Sequence, residues 1–235
     1  MATRYAALAR FATVSRRRTA GVRWAAMSTE PALTLTERRK AATQLDIARA
    51  AAELFAERGP DGTTAEEIAH RAGVALRTFY RYFRNKQDAV APLLAGGADR
   101  WRARLAATEP GTVPLAEALE RSVADALSVP DATAAEGLRW TRGLLRAADG
   151  DPALRAVWYR ANQESEERLR PVLAALAGEG ADPLEIRLAA AAATDAIRVA
   201  LEAWAPTEAP PGEVAALAVR CLRELTGGMR LFSRR

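Results

Sequence analysis

The chain has 235 residues, 49% of them hydrophobic and 27% charged, with one cysteine and one histidine. That composition suits one or two globular domains with a full core, and excludes a disulfide framework, a cysteine-rich zinc site and a histidine metal cage. No apolar run reaches the roughly 18 residues of a membrane span, so a soluble, cytoplasmic protein with no membrane association, cofactor or metal is expected.

The formal charge of +5 is unevenly placed. Residues 1–29 hold Arg4, Arg10, Arg16, Arg17, Arg18 and Arg23 and no acid, which leaves residues 30–235 at a net −1. The body is therefore not basic overall. Within it, residues 71–86 carry Arg71, Arg77, Arg81, Arg84 and Lys86 with no Asp or Glu, whereas residues 89–227 net −5. A short cationic element on an acidic body suits one small surface set against phosphates.

In chain order, residues 1–35 lack the periodicity of a packed helix. They read as a disordered or mis-started Arg-rich extension, with Met27 as the alternative start; a transit-like composition and a basic DNA-binding arm are lesser readings. From Glu37 to Arg58 the apolar positions Ile47, Ala51, Leu54 and Phe55 fall on one helical face, and Gly59-Pro60-Asp61-Gly62 ends the run. Thr64-Ala65-Glu66-Glu67 is a capping box that opens a helix over Ala65–Ala72. Gly73 tolerates a left-handed turn, Val74 returns to the core, and a third helix covers Leu76–Phe83. A fourth opens at Asn85 with Asp88 at its third position; Pro92 is expected to kink it, and Gly96-Gly97 to weaken its next turns. Further helices are predicted over Pro114–Ser128, Asp131–Ala148, Asp151–Leu176, Asp182–Trp204 and Gly212–Thr226, several with Asp-Pro starts. No β alternation is present. The fold class is all-α, with an extension at 1–35, a compact helical unit at 36–90 and a run of further helices at 91–235.

The segment 64–83 is two short helices joined by a three-to-four-residue turn, the spacing of a helix-turn-helix. At about 100° per residue, Arg77 and Arg81 lie about 160° and 200° from Phe79, opposite the face of Phe79, Phe83 and Leu76. Thr78, Tyr80 and Tyr82 border the arginines. Such a cationic, acid-free face offers guanidinium groups to guanine edges and hydroxyls to phosphates.

The run Thr63-Thr64-Ala65-Glu66-Glu67-Ile68-Ala69-His70-Arg71-Ala72-Gly73-Val74, followed by Thr78-Phe79-Tyr80-Arg81-Tyr82-Phe83-Arg84-Asn85-Lys86, closely resembles the TetR family of bacterial transcriptional regulators. The resemblance spans about residues 37–95. It implies a DNA-binding homodimer on a palindromic double-stranded operator, released by a small molecule. By family position, Leu76, Arg77 and Tyr80 face bases while Thr64, Thr78, Tyr82 and Lys86 hold phosphates. Ala75 departs from the pattern, because the family often has a capping Ser or Thr there.

Beyond residue 95, Leu138-Arg139-Trp140 and Trp158-Tyr159-Arg160-Ala161-Asn162 bear a weaker likeness to a domain type that accepts acyl-CoA-like ligands. Trp101, Arg139, Trp140, Trp158, Tyr159, Arg160 and Asn162 are accordingly the candidates for a pocket holding an apolar or acyl-CoA-like effector. The helices at 182–204 and 212–226 are apolar over more than one face and are expected to pair with their copies in a dimer. His70 reads as a surface or phosphate-adjacent residue rather than a ligand, and Cys221 as small core filler. No catalytic constellation, metal spacing or phosphate loop is present, so no enzyme is expected. The leading function is a ligand-responsive regulator, most simply a repressor; the alternative is a DNA-binding protein whose C-terminal half binds a protein partner.

Overall fold

A computed structural model describes residues 34–228. Its α-helices are α1 (Leu35–Arg58), α2 (Ala65–Arg71), α3 (Leu76–Tyr82), α4 (Ala91–Ala106), α5 (Leu115–Leu127), α6 (Ala132–Gly150), α7 (Pro152–Ala177), α8 (Pro183–Trp204) and α9 (Glu213–Thr226), and no strand occurs among the described residues. The expected all-α class holds. The extension at 1–35 lies outside the described residues apart from Thr34 and Leu35. Helix α1 starts two residues before the expected Glu37, because Thr34 and Glu37 form a capping box. The Glu37 N–H donates to Thr34 Oγ1 at 3.2 Å, and the Thr34 N–H donates to Glu37 Oε2 at 2.8 Å.

The later helix ends follow from local chemistry. The carboxylates of Asp131, Asp151 and Asp182 accept from the backbone N–H groups of Ala134, Leu154 and Leu184, closing the N-termini of α6, α7 and α8. Pro152 and Pro183 stand in the first turns, where no N–H is needed. The expectation of a kink at Pro92 is corrected on the same ground. Asn85 Oδ1 caps the Asp88 N–H at 2.8 Å, but the turn it opens is a short 3-10 stretch, Asp88–Val90. Helix α4 then begins at Ala91, so Pro92 sits in its first turn and bends nothing. Helix α4 runs unbroken through Gly96 and Gly97, over which the Arg100 guanidinium lies. The proline inside a helix is instead Pro171 of α7.

Helix α4 packs on α5 and α7, α8 packs on α7 and α9, and α9 also meets α5. Buried apolar residues form one connected cluster that includes Phe55, Phe79, Val90, Trp101, Leu169 and Leu222. Cys221 is only half-buried at its edge. On α8, Ile186, Ala189, Ala193 and Ala196 are buried, while Leu184, Leu188 and Val199 remain 61%, 49% and 40% exposed. Two-sided apolarity in that helix thus leaves one face on the core and another uncovered.

Candidate nucleic-acid interface

The scaffold of the basic segment is built by closures that each satisfy a backbone group. Thr64 caps α2: its hydroxyl accepts from the Glu67 N–H at 3.2 Å, and Glu67 Oε2 accepts from the Thr64 N–H at 2.9 Å. These bonds, first the Thr64 N–H, then its hydroxyl, then the nearby Arg58, hold the Glu67 carboxyl below the usual carboxylate range. At the other end the chain leaves α2 in a Schellman turn. The Val74 N–H donates to the Ala69 carbonyl at 2.9 Å and the Gly73 N–H to the His70 carbonyl at 3.1 Å, with Gly73 at φ 68°. A side chain at that φ would be strained, which is why glycine occupies the turn. Ala75 begins α3 with no side-chain cap, as its alanine requires.

Two ion-pair contacts fix α2 to α1, and a buried ring anchors α3. Arg58 pairs with Glu67 at 2.8 Å. Arg71 makes a two-pronged contact with Glu57 at 2.5 and 2.9 Å, with Glu53 at 3.7 Å. Phe79 of α3 is fully buried, its ring 5.8 Å from that of Phe83. The Arg71–Glu57 pair changes the sequence-level charge count, because one of the five cations in 71–86 is neutralised from a neighbouring helix.

With Phe79 turned inward, α3 exposes Arg77, Tyr80 and Arg81. The Tyr80 ring is 54% exposed and stands edge-on to Phe79, centroids 5.3 Å apart. Arg81 lies 4.8 Å over the Tyr82 ring and donates to the Tyr82 hydroxyl at 3.1 Å, so the two present one unit. Arg77 and Arg84 pair with no acid among the described residues. Leu76, Thr78 and Tyr82 are half-buried at the margins. The Thr64 hydroxyl donates to Glu67 at 3.0 Å, and Lys86 Nζ donates to the Thr63 carbonyl at 2.9 Å. An ammonium has three donors, so Lys86 keeps capacity for a phosphate while its stem is held. Sequence reasoning passed over Arg84 as a contact residue, although the same acid-free run contains it. His70 is exposed, as expected.

The pocket candidates are not brought together. Trp101 is 2% exposed and belongs to the core. Arg139 and Trp140 line one cavity, between α1 and α6. Trp158 and Tyr159 line another, of about 520 Å³, with Arg146, Arg155 and Glu202, and there the Trp158 indole donates to Glu202 at 2.7 Å. Arg160 pairs with Asp88 at 2.6 Å, and Asn162 donates to the Trp158 carbonyl at 2.9 Å. Sequence reasoning missed the tie between the start of α4 and α7, made by Arg160–Asp88 and by Gln87, which donates to Asp151 at 2.9 Å. Burial pushes the Asp151 carboxyl up, but the Gln87 bond, the backbone N–H groups of Leu154 and Ala153 and the Lys86 charge together bring it below its ordinary value.

A capped helix, a left-handed glycine turn and a second helix with an exposed cationic face define a helix-turn-helix DNA-binding domain in an all-α chain. Residues 47–91 match the family model described as bacterial regulatory proteins, tetR family. Over these helices the chain is similar to the TetR family. A curated relative, the HTH-type transcriptional regulator TcmR of Streptomyces glaucescens, is 29% identical over 150 residues, 63% of this chain and 66% of TcmR, just under two thirds of that protein's length. Among solved structures, a tetR-family transcriptional regulator from Streptomyces coelicolor superposes with a TM-score of 0.51 at 19% identity, covering 79% of this chain and 80% of that one. The complex of SmeT with triclosan gives a TM-score of 0.50 at 24% identity, covering 79% and 90%. Among the described residues no helix is long and apolar enough to cross a membrane, and no cluster of His, Cys, Asp or Glu could hold a metal ion.

Proposed function

We propose that this protein is a cytoplasmic, ligand-responsive transcriptional regulator that binds a palindromic operator as a homodimer and acts as a repressor. Residues 36–90 read the DNA, and residues 91–235 bind the effector and dimerise. The observation that carries the reading is α3. Its buried face is nailed down by Phe79, and its exposed face offers Arg77, Tyr80 and Arg81 with no carboxylate beside them. In this reading Arg77, Arg81 and Leu76 meet base edges with Tyr80, while Thr64, Thr78, Tyr82 and Lys86 hold phosphates.

Support for an effector comes from SmeT, a structural neighbour bound to triclosan. Support for the dimer comes from the uncovered apolar residues Leu184, Leu188 and Val199 of α8, with Leu225 of α9 45% exposed. Light scattering behind size exclusion should give twice the 25.3 kDa chain mass; a monomer at micromolar concentration removes the two-fold operator.

Fluorescence anisotropy with duplexes from the region upstream of its own gene tests the DNA reading. Binding should weaken steeply with salt. Lys86→Ala should weaken it on all sequences and flatten the salt slope by about one, whereas Arg77→Ala should also relax base preference. Absence of salt-sensitive binding to any duplex ends the proposal.

A further inference from the structure

Lys86 sits on a short polar passage between two apolar anchors. Phe83 is 7% exposed and Ala89 fully buried, so residues 84–88 cross from one core contact to the next. The backbone holds this path weakly. Ala89 and Val90 donate their N–H groups to the Lys86 and Gln87 carbonyls at 3.3 Å each, just beyond the usual range. The 3-10 stretch Asp88–Val90 has only three residues and adds little rigidity of its own.

Side chains supply what the backbone lacks. Asn85 closes the turn locally by accepting from the Asp88 N–H at 2.8 Å. The remaining bonds reach away from the segment. Lys86 Nζ donates to the Thr63 carbonyl at 2.9 Å, Gln87 Nε2 donates to Asp151 at 2.9 Å, and the Arg160 guanidinium donates to Asp88 at 2.6 Å. Thr63 precedes the cap of α2, whereas Asp151 caps α7 and Arg160 lies further along that helix. Gln87 and Asp88 are neighbours that grip α7 at separate points, so their bonds fix rotation as well as distance. The Asp88 side chain is only 13% exposed, and a carboxylate so far out of water needs its partner. By contrast, Arg168 of α7 pairs with Glu164 and Asp99 where all three side chains are about half exposed, and such pairs contribute little. Lys86 therefore stands between two holds. Its ammonium is tied to the start of α2, and the next two residues are tied to α7, so a shift of α7 moves the turn that carries it.

We infer that Arg160 and Asp151 are positioning residues for DNA binding. Through Asp88 and Gln87 they hold the turn that aims Lys86 at a phosphate, and α7 thereby sets the affinity of the helix-turn-helix for DNA. This inference rests on the regulator reading above.

The test is a double-mutant cycle on the full chain, read by anisotropy with the upstream duplex that the parent binds most tightly. Arg160→Gln should weaken binding about fivefold and flatten the salt slope, because Lys86 no longer keeps its phosphate. In the Lys86→Ala background the same change should have almost no effect. Arg160→Lys keeps a cation for Asp88 and should restore most of the affinity. Asp88→Ala breaks the tie without leaving an unpaired carboxylate, so it reads the same contact should Arg160→Gln fold poorly. It removes a negative charge, which alone favours DNA, yet it should weaken binding. Arg168→Gln takes an equal positive charge from the same helix and should leave binding unchanged. Undiminished affinity in both Arg160→Gln and Asp88→Ala overturns the inference. So does a loss that persists in full in the Lys86→Ala background, or one that Arg168→Gln reproduces. A parent chain that binds no duplex overturns the regulator reading and this inference with it. A parent that binds duplex while the cycle is additive overturns the inference alone.

Discussion

Phe79→Ala is expected to be the most damaging single change in the helix-turn-helix. The ring is fully buried, meeting Phe83 at 5.8 Å and Tyr80 at 5.3 Å. An aromatic side chain buries about 150–250 Å², worth about 4–6 kcal/mol at about 25 cal/mol per Å², an upper bound because an unfolded chain already hides part of that area. Substitutions of this type cost about 3–5 kcal/mol, so about 4 kcal/mol is expected here, or nearly a thousandfold in the opening equilibrium. Tryptophan fluorescence is a poor reporter, because Trp101, Trp140, Trp158 and Trp204 all lie in α4 or beyond. Amide hydrogen exchange followed on peptides covering Leu76–Phe83 reads the site directly. Exchange there should accelerate by about three decades while α8 and α9 change little. A loss of protection worth less than about 1.5 kcal/mol would mean that Phe79 is not what holds the cationic face in place, and its burial would then not account for a rigid recognition helix.

Ala75→Ser should restore the missing cap of α3 and add about 1 kcal/mol, seen as a rise of about 2–4 °C in melting temperature; no rise means that the N-terminus of α3 is already satisfied. The depressed Glu67 and Glu57 carboxyls, held by Thr64 and by Arg71 respectively, stabilise the domain fully above the ordinary carboxylate pKa, and the contribution is lost as pH falls through their folded values. Protection of α2 should therefore fall between roughly pH 5 and pH 3, and Glu67→Gln should blunt the fall; an identical profile in the variant refutes the assignment. Arg71→Gln should leave the salt slope of DNA binding unchanged if the Glu57 pair persists on DNA; a slope flattened by about one would show that Arg71 leaves Glu57 for a phosphate.

Much of the fold is legible in the sequence because its helix ends are local. Thr64-x-x-Glu67, Asp151-Pro152 and Asp182-Pro183 state their caps within four residues, and Gly73 names its own turn. The error at Pro92 arises where two local signals compete. Asn85 does cap a turn, but whether that turn continues as one helix or closes as a 3-10 stretch depends on how Ala89 and Val90 reach the core, and both are fully buried. The capping box at Thr34 is equally local, and a search for Thr-x-x-Glu ahead of Arg38 would have found it.

The site is less legible wherever its partners are distant in sequence. Trp140 and Trp158 are indistinguishable as aromatic residues on amphipathic helices, yet one N–H finds Glu202, 44 residues away, and the other finds nothing. Arg71 makes the same point for charge. A window of sequence counts it with Arg77, Arg81, Arg84 and Lys86, but Glu57, 14 residues earlier on α1, takes its guanidinium with both oxygens. The field that faces outward is therefore smaller, concentrated on α3 and the residues just after it. Because the pair also clamps α2 to α1, a charge that a sequence window adds to the cationic face serves in the folded chain to hold the helix that precedes it.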